Sequence, residues 1–332
     1  MGDATLQQLL RRSWRDVDLP PDAVGIPTML SKTERKLLYG LARDFAGEGA
    51  IVDGGCFLGG STAALLAGLR DRSEMWRGPP LSSYDLFRVE GYTIRKFFGD
   101  DPEVRIGDSF RRRFDAHVER FDIPHQVHEG DITAIGWGGG EIDVLFLDVL
   151  KSWEINDAVL RGFFPSLVPG RSVIVHQDYG GAYMPWIPIT VELMRDSLVL
   201  LDWMEWGSHV FFLQDEVPAD LIANGVGGLD LETRFALMDR AVARADSWVR
   251  GMLELSRTAL VVERDGPDAG LADLRSIAER YRGYGAVDSA IADVKEGLAT
   301  NWTFGADGNA SRAGSSRLAQ TGRRLKAAVH RS

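Results

Sequence analysis

Short apolar runs alternate with stretches of helical periodicity over the first two thirds of the chain. Val144–Leu147 is a continuous apolar run, which is typical of a parallel strand buried on both faces. Comparable runs predict strands over 50–53, 81–85, 125–131, 142–148 and 172–178. Ser31 and Glu34 form a capping-box pattern and predict a helix over about 32–46, and a second helix is predicted from Ser61. This alternation predicts an α/β fold with a doubly wound, Rossmann-like, mostly parallel sheet.

Beyond the fifth predicted strand, the pattern changes to an edge pair and then to helices. Apolar runs at 198–201 and 209–213, separated by a short loop with Gly207, predict an antiparallel pair that closes the edge of the sheet. From Leu231 to Met252 apolar residues recur every three or four positions, which predicts one long amphipathic helix. Further helices are predicted over about 189–197, 271–281 and 287–298. The long apolar face favours a homodimer or a higher homo-oligomer.

The predicted elements divide the chain into four parts. These are an N-terminal cap segment over 1–30, a Rossmann-like domain over 31–218, a C-terminal helical extension over 219–300 and a basic tail over 301–332. From Asn309 onward the tail has six basic and no acidic residues, which predicts a mobile, solvated segment.

Composition and charge exclude several classes of protein. The 332 residues are 45% hydrophobic, which is enough for a substantial core. A net charge of -10 disfavours nucleic acid as a partner, because binding to phosphates needs a basic surface. Cys56 is the single cysteine, so an internal disulfide framework and a cysteine-rich zinc site are excluded. The first residues lack the apolar region of a secretory signal, and no apolar run approaches the roughly 20 residues that span a bilayer. We therefore expect a cytoplasmic protein that binds neither nucleic acid nor membrane.

Four predicted strands end in an aspartate. These residues are Asp53, Asp85, Asp148 and Asp178. Ligands of open α/β sheets bind beyond the carboxyl ends of the strands, so we expect the four carboxylates to converge on one crevice.

A glycine-rich turn joins the first predicted strand to the next helix. It reads Asp53-Gly54-Gly55-Cys56-Phe57-Leu58-Gly59. Such glycines let a ligand approach the backbone at the N-terminus of a helix. The turn lacks the lysine of a nucleoside-triphosphate P-loop, and its glycine spacing departs from the G-x-G-x-x-G of NAD-dependent enzymes. It resembles the first motif of class I S-adenosylmethionine-dependent methyltransferases, in which an acid at the strand end precedes spaced glycines.

This resemblance extends over about residues 31–215 and implies an S-adenosylmethionine site. Asp85 matches the family's acid for the ribose hydroxyls, and Asp131 matches its acid for the adenine amine. Either side chain could instead cap the turn that follows it. The cofactor-binding residues that the resemblance implies are Asp53, Gly54, Gly55, Gly59, Ser61, Asp85, Asp131 and Asp148.

The ends of the fourth and fifth strands are similar to those of metal-dependent relatives. Asp148-x-x-Lys151 is similar to an element of the catechol-type O-methyltransferases, in which the acid binds magnesium and the lysine deprotonates a substrate hydroxyl. Gln177-Asp178 lies where relatives that include macrolide-sugar methyltransferases have two acids, or an acid and an amide. The resemblance therefore implies Mg²⁺ or Mn²⁺ held by Asp148, Gln177 and Asp178, although an amide weakens an anionic cage. In a metal-free variant, His176 is the rival general base, because the ordinary pKa of histidine is near neutrality. The alternatives are a solvated Lys151 and a structural, hydrogen-bonded His176.

The loop after the fifth strand is rich in aromatic residues and proline. It covers residues 179–188 and, with Trp153, predicts an acceptor pocket suited to a sugar or a planar ring. We predict an S-adenosylmethionine-dependent methyltransferase that methylates a hydroxyl of a small metabolite, sugar or natural product. Lys151, His176 and Asp148 are its candidate catalytic residues. The alternative is a non-catalytic protein of the same fold that serves as a scaffold or regulatory binding protein.

Overall fold

The centre of the molecule is a seven-stranded, mostly parallel sheet. The computed structural model describes residues 2–45, 47–90, 93–99, 103–204 and 207–299. Its strands are β1 (Ala50–Gly54), β2 (Leu81–Asp85), β3 (His125–Glu129), β4 (Ile142–Leu147), β5 (Val173–His176), β6 (Leu198–Trp203) and β7 (His209–Leu213). The order is β3-β2-β1-β4-β5-β7-β6, with β1 to β5 parallel and β7 antiparallel to both of its neighbours. This order confirms the predicted α/β sheet with an antiparallel edge pair.

Helices cover both faces of the sheet and form the C-terminal extension. The described α-helices are α1 (Gly2–Leu10), α2 (Pro21–Val24), α3 (Lys32–Gly40), α4 (Gly60–Arg70), α5 (Arg111–Val118), α6 (Ile132–Ile135), α7 (Trp153–Gly162), α8 (Trp186–Leu193), α9 (Ala219–Asn224), α10 (Leu231–Arg244), α11 (Ser247–Asp265), α12 (Pro267–Arg280) and α13 (Gly285–Ala299). A π-helical turn, Leu41–Phe45, continues α3. The predicted capping box is present, because the Ser31 hydroxyl accepts the Glu34 N–H at 3.1 Å and the Glu34 carboxylate accepts the Ser31 N–H at 2.7 Å.

Alternate residues of each central strand enter different apolar cores on the two faces of the sheet. On β4, Val144 and Phe146 belong to the core that includes Leu9 and Trp14 of the N-terminal cap segment. Leu145 and Leu147 belong to the other core, which includes α8 and residues of α10 in the helical extension. The cap segment and the helical extension therefore each share a core with the sheet.

The helix predicted over 231–252 is two helices in the structure. α10 ends at Arg244, the backbone is extended at Ala245, and α11 begins at Ser247 with a positive φ of 51°. The apolar spacing runs on through this break, so periodicity alone predicted one helix.

Most apolar residues of these two helices are buried within one chain, whereas Leu231, Val242 and Ala245 are partly buried. Phe235, Met238 and Val249 all lie in the core on the α8 side of the sheet. The apolar face that favoured a homodimer is therefore largely covered by the chain's own sheet and helices. The homodimer stays a prediction, and the predicted tail over 301–332 lies outside the described residues.

The strand order reverses between β1 and β4, where parallel sheets open a crevice at their carboxyl ends. β3, β4 and β5 end one or two residues earlier than predicted, so Asp131, Asp148 and Asp178 lie in the loops directly beyond the strands. Within the described ranges, no helix combines the length and apolar character needed to cross a membrane.

Candidate active site

The glycine-rich turn after β1 is held between β2 and the loop after β4. Its Gly55 N–H donates to the Tyr84 carbonyl at 2.9 Å. Gly55 has a φ of 94°, and a Cβ at this position would lie 2.6 Å from the backbone oxygen of Asp148. Only glycine satisfies both the left-handed backbone and this close approach. The turn is therefore built by a contact between the ends of β1 and β4.

Asp85 joins this turn to the end of β2. One oxygen of its carboxylate accepts the Phe57 N–H at 2.8 Å, and the other accepts the Phe87 N–H at 2.7 Å. Burial raises the pKa of Asp85 to about 6, although the two N–H donors favour the ionised form. The side chain thus caps the following turn, as one sequence-based alternative proposed, and lies beside the glycine turn as the cofactor hypothesis requires.

Asp53 and Ser61 lie behind the turn. The Asp53 carboxylate has no exposed surface and accepts the hydroxyls of Ser61 at 3.0 Å and Thr62 at 2.6 Å. Burial raises the pKa of Asp53 to about 6. In this structure both side chains fix the start of α4, so their contribution to a ligand site is indirect.

An Asp53→Asn variant is expected to be more stable than the wild type at pH 7. Because the folded-state pKa is raised from 3.8 to about 6, the folded protein binds the Asp53 proton more tightly than the unfolded chain. Wild-type stability should therefore fall as the pH rises from about 4 to 6, by up to about 3 kcal/mol from this residue. Asparagine keeps an acceptor for the two hydroxyls but cannot ionise. Denaturant unfolding of both proteins from pH 4 to pH 8 measures the difference, and a difference that does not vary with pH would contradict the assignment.

Asp131 lies beyond β3 and is exposed. Its carboxylate accepts the Thr133 N–H at 2.8 Å and caps α6. The structure thus gives Asp131 the local capping role that was the alternative to adenine binding, and adenine binding stays a prediction.

Beyond β4 and β5, Asp148, Lys151 and Asp178 form one ion-paired group, hereafter the acid–lysine cluster. The Lys151 ammonium donates to Asp148 Oδ1 at 2.8 Å and also to Asp178 Oδ2. The Lys151 side chain is 48% exposed, whereas those of Asp148 and Asp178 are 16% and 21% exposed. The structure therefore brings together the D-x-x-K element and the acid beyond the next strand.

The charges of the cluster define what each member can do. Burial opposes the charge on Lys151, but the two carboxylates outweigh it and raise the pKa of the ammonium above its ordinary value. Burial raises the pKa of Asp148 to about 7, in opposition to the Lys151 charge. Lys151 is therefore a cation in this arrangement, and the raised pKa of Asp148 makes its carboxylate the candidate for proton transfer.

The predicted metal ligands meet here, but their arrangement does not fit a divalent cation. Mg²⁺ and Mn²⁺ need oxygen ligands directed at a common point. Here the Lys151 ammonium bonds both carboxylates, and Gln177 is best oriented with its amide nitrogen towards them, 2.6 Å from Asp178 Oδ1 and 3.3 Å from Asp148 Oδ1. No set of three or more His, Cys, Asp or Glu side chains within the described ranges is placed to hold a metal.

His176 lies at the end of β5 but faces the interior. It is 1% exposed, lies opposite His209 on β7, and packs edge-on against Phe211. Burial, with a smaller effect of His209, lowers the pKa of His176 to about 3. This placement favours a packing role over a role as general base. The predicted structural hydrogen bond is not found, because His176 Nδ1 is buried without a partner among the described residues. The period-two alternation of β5 could have indicated the burial, because His176 shares a face with Ile174 of the core on the α8 side.

Aromatic residues flank the cluster on the side of the helical extension. The Trp153 ring lies 5.5 Å from that of Trp186 and 4.3 Å from the Arg234 guanidinium of α10. Tyr179 packs into the interior against His209, with ring centroids 4.1 Å apart. Trp153 therefore fits the predicted acceptor wall better than Tyr179 does.

A buried contact near the cluster, between Glu34 and Ser208, was not predicted from the sequence. Glu34 is 1% exposed, and its Oε1 accepts the Ser208 hydroxyl at 2.7 Å. The capping-box pattern predicted Glu34 only as a helix cap. Nothing in the neighbouring sequence predicts its contact with Ser208, 174 positions away.

No protein-family model matches the chain, and no curated protein matches it. An apo structure of CalS11, a TDP-rhamnose 3′-O-methyltransferase of calicheamicin biosynthesis, has 18% identity and a TM-score of 0.40, over 64% of this chain and 94% of that chain. A second CalS11 structure has 17% identity and a TM-score of 0.41, over 64% and 93%. The 23S rRNA methyltransferase ErmE has 12% identity and a TM-score of 0.31, over 88% and 98%. At these values no substrate or residue role is transferred to this chain. The sheet itself agrees with the doubly wound, mostly parallel α/β fold that the sequence predicted.

Proposed function

We propose that this protein is an S-adenosylmethionine-dependent methyltransferase that acts on a hydroxyl of a small-molecule acceptor. The observation that carries the proposal is the contact across the switch point of the sheet. The Asp148 N–H donates to the Gly54 carbonyl at 2.8 Å, and Gly55 packs against the Asp148 backbone. This contact sets the glycine turn beside the acid–lysine cluster. Methyl transfer needs a donor site and an acceptor site in such proximity.

The donor side fits an adenosyl cofactor by the chemistry of its groups. Each Asp85 oxygen has two lone pairs and accepts one backbone N–H, so acceptor capacity is left for ribose hydroxyls. Gly59, with a φ of 95°, precedes the 11-residue helix α4. S-adenosylmethionine, when bound here, supplies an electrophilic methyl group. Asp53 and Ser61 keep the turn in shape, and Asp131 lies beyond the neighbouring strand β3.

The acceptor side can activate a hydroxyl with the chain's own residues. In this proposal the ionised Asp148 carboxylate takes the proton of the acceptor hydroxyl. The Lys151 ammonium stabilises the negative charge that develops on the oxygen, and Asp178 keeps the ammonium in place. Trp153, two residues beyond Lys151 and packed with Trp186 and Arg234, would border the acceptor pocket. In this proposal Lys151 acts electrostatically, and Asp148 is the general base.

An Asp85→Asn variant is expected to bind S-adenosylmethionine about ten to a hundred times more weakly, because hydrogen bonds to a charged acceptor are lost. Isothermal titration with S-adenosylmethionine and with NAD measures this loss and the selectivity for the cofactor. Asp143→Asn is the matched control. Asp143 likewise accepts two backbone N–H groups, from Gly47 at 2.7 Å and Gly49 at 3.0 Å, but it pairs with Arg171 and lies at the amino end of β4.

The control should lower stability and leave cofactor affinity unchanged. Wild-type protein that binds neither compound would overturn the proposal and support the scaffold alternative. Equal losses in both variants would show that Asp85 acts through stability alone.

A further inference from the structure

Glu34 is a buried carboxylate whose local role accounts for only half of its contacts. Its Oε2 accepts the Ser31 N–H at 2.7 Å and completes the capping box of α3. One oxygen is sufficient for that cap. Glutamate is rarely buried this completely unless both oxygens are paired. The second oxygen therefore needs its own explanation.

The second oxygen reaches the turn that precedes β7. Oε1 accepts the Ser208 hydroxyl at 2.7 Å, and Ser208 has no exposed surface. The adjacent Gly207 carbonyl accepts the Gly180 N–H at 3.2 Å, so this turn rests on the loop after β5. The Glu34 carboxylate thus fastens α3 to the Gly207–Ser208 turn and, through it, to the loop.

The loop after β5 carries Asp178, one of the three residues of the acid–lysine cluster. Its Gln177 N–H donates to the Leu147 carbonyl at 3.0 Å, and its Gly181 N–H donates to the Asp178 carbonyl at 2.8 Å. Between these bonds the Asp178 side chain meets Lys151. Hydrogen bonds through Ser208, Gly207 and Gly180 therefore connect Glu34 to the loop that carries Asp178.

We propose that Glu34 is a positioning residue for methyl transfer: through Ser208 it holds the 177–181 loop so that Asp178 meets Lys151. The inference rests on the proposed methyltransferase function for its catalytic consequence. The mechanical link from Glu34 to the loop can be measured without any reaction.

Four variants separate the link from the helix cap. Glu34→Ala removes both contacts, and Ser208→Ala removes only the distant one. Ser31→Ala removes the side-chain half of the cap and leaves the distant contact. Glu34→Gln keeps both contacts, because its amide oxygen can accept the Ser31 N–H while its amide nitrogen donates to the Ser208 hydroxyl.

The first measurement is amide hydrogen exchange over the 177–184 segment of the full chain. Glu34→Ala and Ser208→Ala should each speed exchange there by about tenfold or more, because a buried hydrogen bond to a charged acceptor is lost. Ser31→Ala and Glu34→Gln should leave exchange in this segment as in the wild type. Faster exchange in Ser31→Ala to the same extent as in Glu34→Ala would reduce Glu34 to a helix cap and overturn the proposal.

The second measurement is turnover with the best acceptor from a panel of phenols and glycosides. Glu34→Ala should lower kcat by about tenfold to a hundredfold with cofactor affinity unchanged, since a small misplacement of reacting groups has effects of this size. The Glu34→Ala/Ser208→Ala double variant should lose no more than either single variant, because both act on one link. Additive losses, or normal kcat in Ser208→Ala, would overturn it. If the wild type binds no S-adenosylmethionine, the proposed function fails, and the exchange experiment still decides the link.

Discussion

A Lys151→Met variant is expected to lose about 100-fold to 1,000-fold in kcat while it binds S-adenosylmethionine as tightly as the wild type. Methionine keeps most of the side-chain length but removes the ammonium that bonds Asp148 and Asp178. The oxyanion then has no cation beside it. The two carboxylates also face each other without a counter-charge, which raises the pKa of Asp148 further and keeps a proton on it near neutrality. Turnover and titration calorimetry with S-adenosylmethionine separate the two effects.

Lys36→Met is the control for loss of a paired lysine elsewhere. Lys36 lies on α3, 3.4 Å from Asp18, and its replacement should leave kcat unchanged. Normal turnover in Lys151→Met, together with a collapse in His176→Ala, would move the base to His176. Turnover that EDTA abolishes and Mg²⁺ or Mn²⁺ restores would instead assign Asp148, Gln177 and Asp178 to a metal. Either result would overturn the mechanism proposed for the acid–lysine cluster.

A Gly55→Ala variant is expected to be destabilised by about 2–5 kcal/mol and to lose cofactor binding. Part of this cost is the φ of 94°, which an L side chain rarely adopts. The larger part is the added Cβ, which would lie 2.6 Å from the Asp148 carbonyl oxygen and 2.8 Å from its carbon. These are backbone atoms at the end of a central strand, so they cannot rotate away as a side chain would. Thermal unfolding and calorimetry with S-adenosylmethionine measure both losses.

Gly107→Ala separates backbone strain from the close contact. Gly107 has a φ of 92°, and a Cβ there would meet nothing within 4 Å. This control should lose only about 1–2 kcal/mol and keep its cofactor affinity. Equal destabilisation in the two variants would mean that the approach of Gly55 to Asp148 has no cost of its own.

Local patterns predicted the features that depend on neighbouring residues. The strand cores, the capping box of Ser31 and Glu34, and the meeting of Asp148 with Asp178 beyond β4 and β5 follow from periodicity and from the parallel sheet. Asp53, the first of the four strand-end acids, is instead buried behind the glycine turn. The hydroxyls that hold Asp53 also lie nearby in sequence, at Ser61 and Thr62. Their buried pairing could have been anticipated from the short spacing.

Long-range packing decided the remainder. The sequence could not predict that Lys151 would be paired to both acids, because the pair with Asp178 depends on how two loops 27 residues apart meet. Alternation along β5 could have indicated the burial of His176, but not its neighbours His209 and Phe211, which β7 supplies. The break between α10 and α11 was hidden by an apolar pattern that both helices share. The bond from Glu34 to Ser208 joins segments that only the closed sheet brings together.

The helical extension has a consequence for how such a protein can change its substrate in evolution. Ala182, in the loop after β5, is buried in a small core formed with Met252 and Leu255 of α11, and Arg234 of α10 lies over Trp153. Substitutions in the extension therefore reach the acceptor side without altering a strand or the glycine turn. Under the proposed function, the cofactor site is fixed by the sheet and the glycine turn. The acceptor pocket can change through substitutions in the helical extension while the cofactor site stays the same.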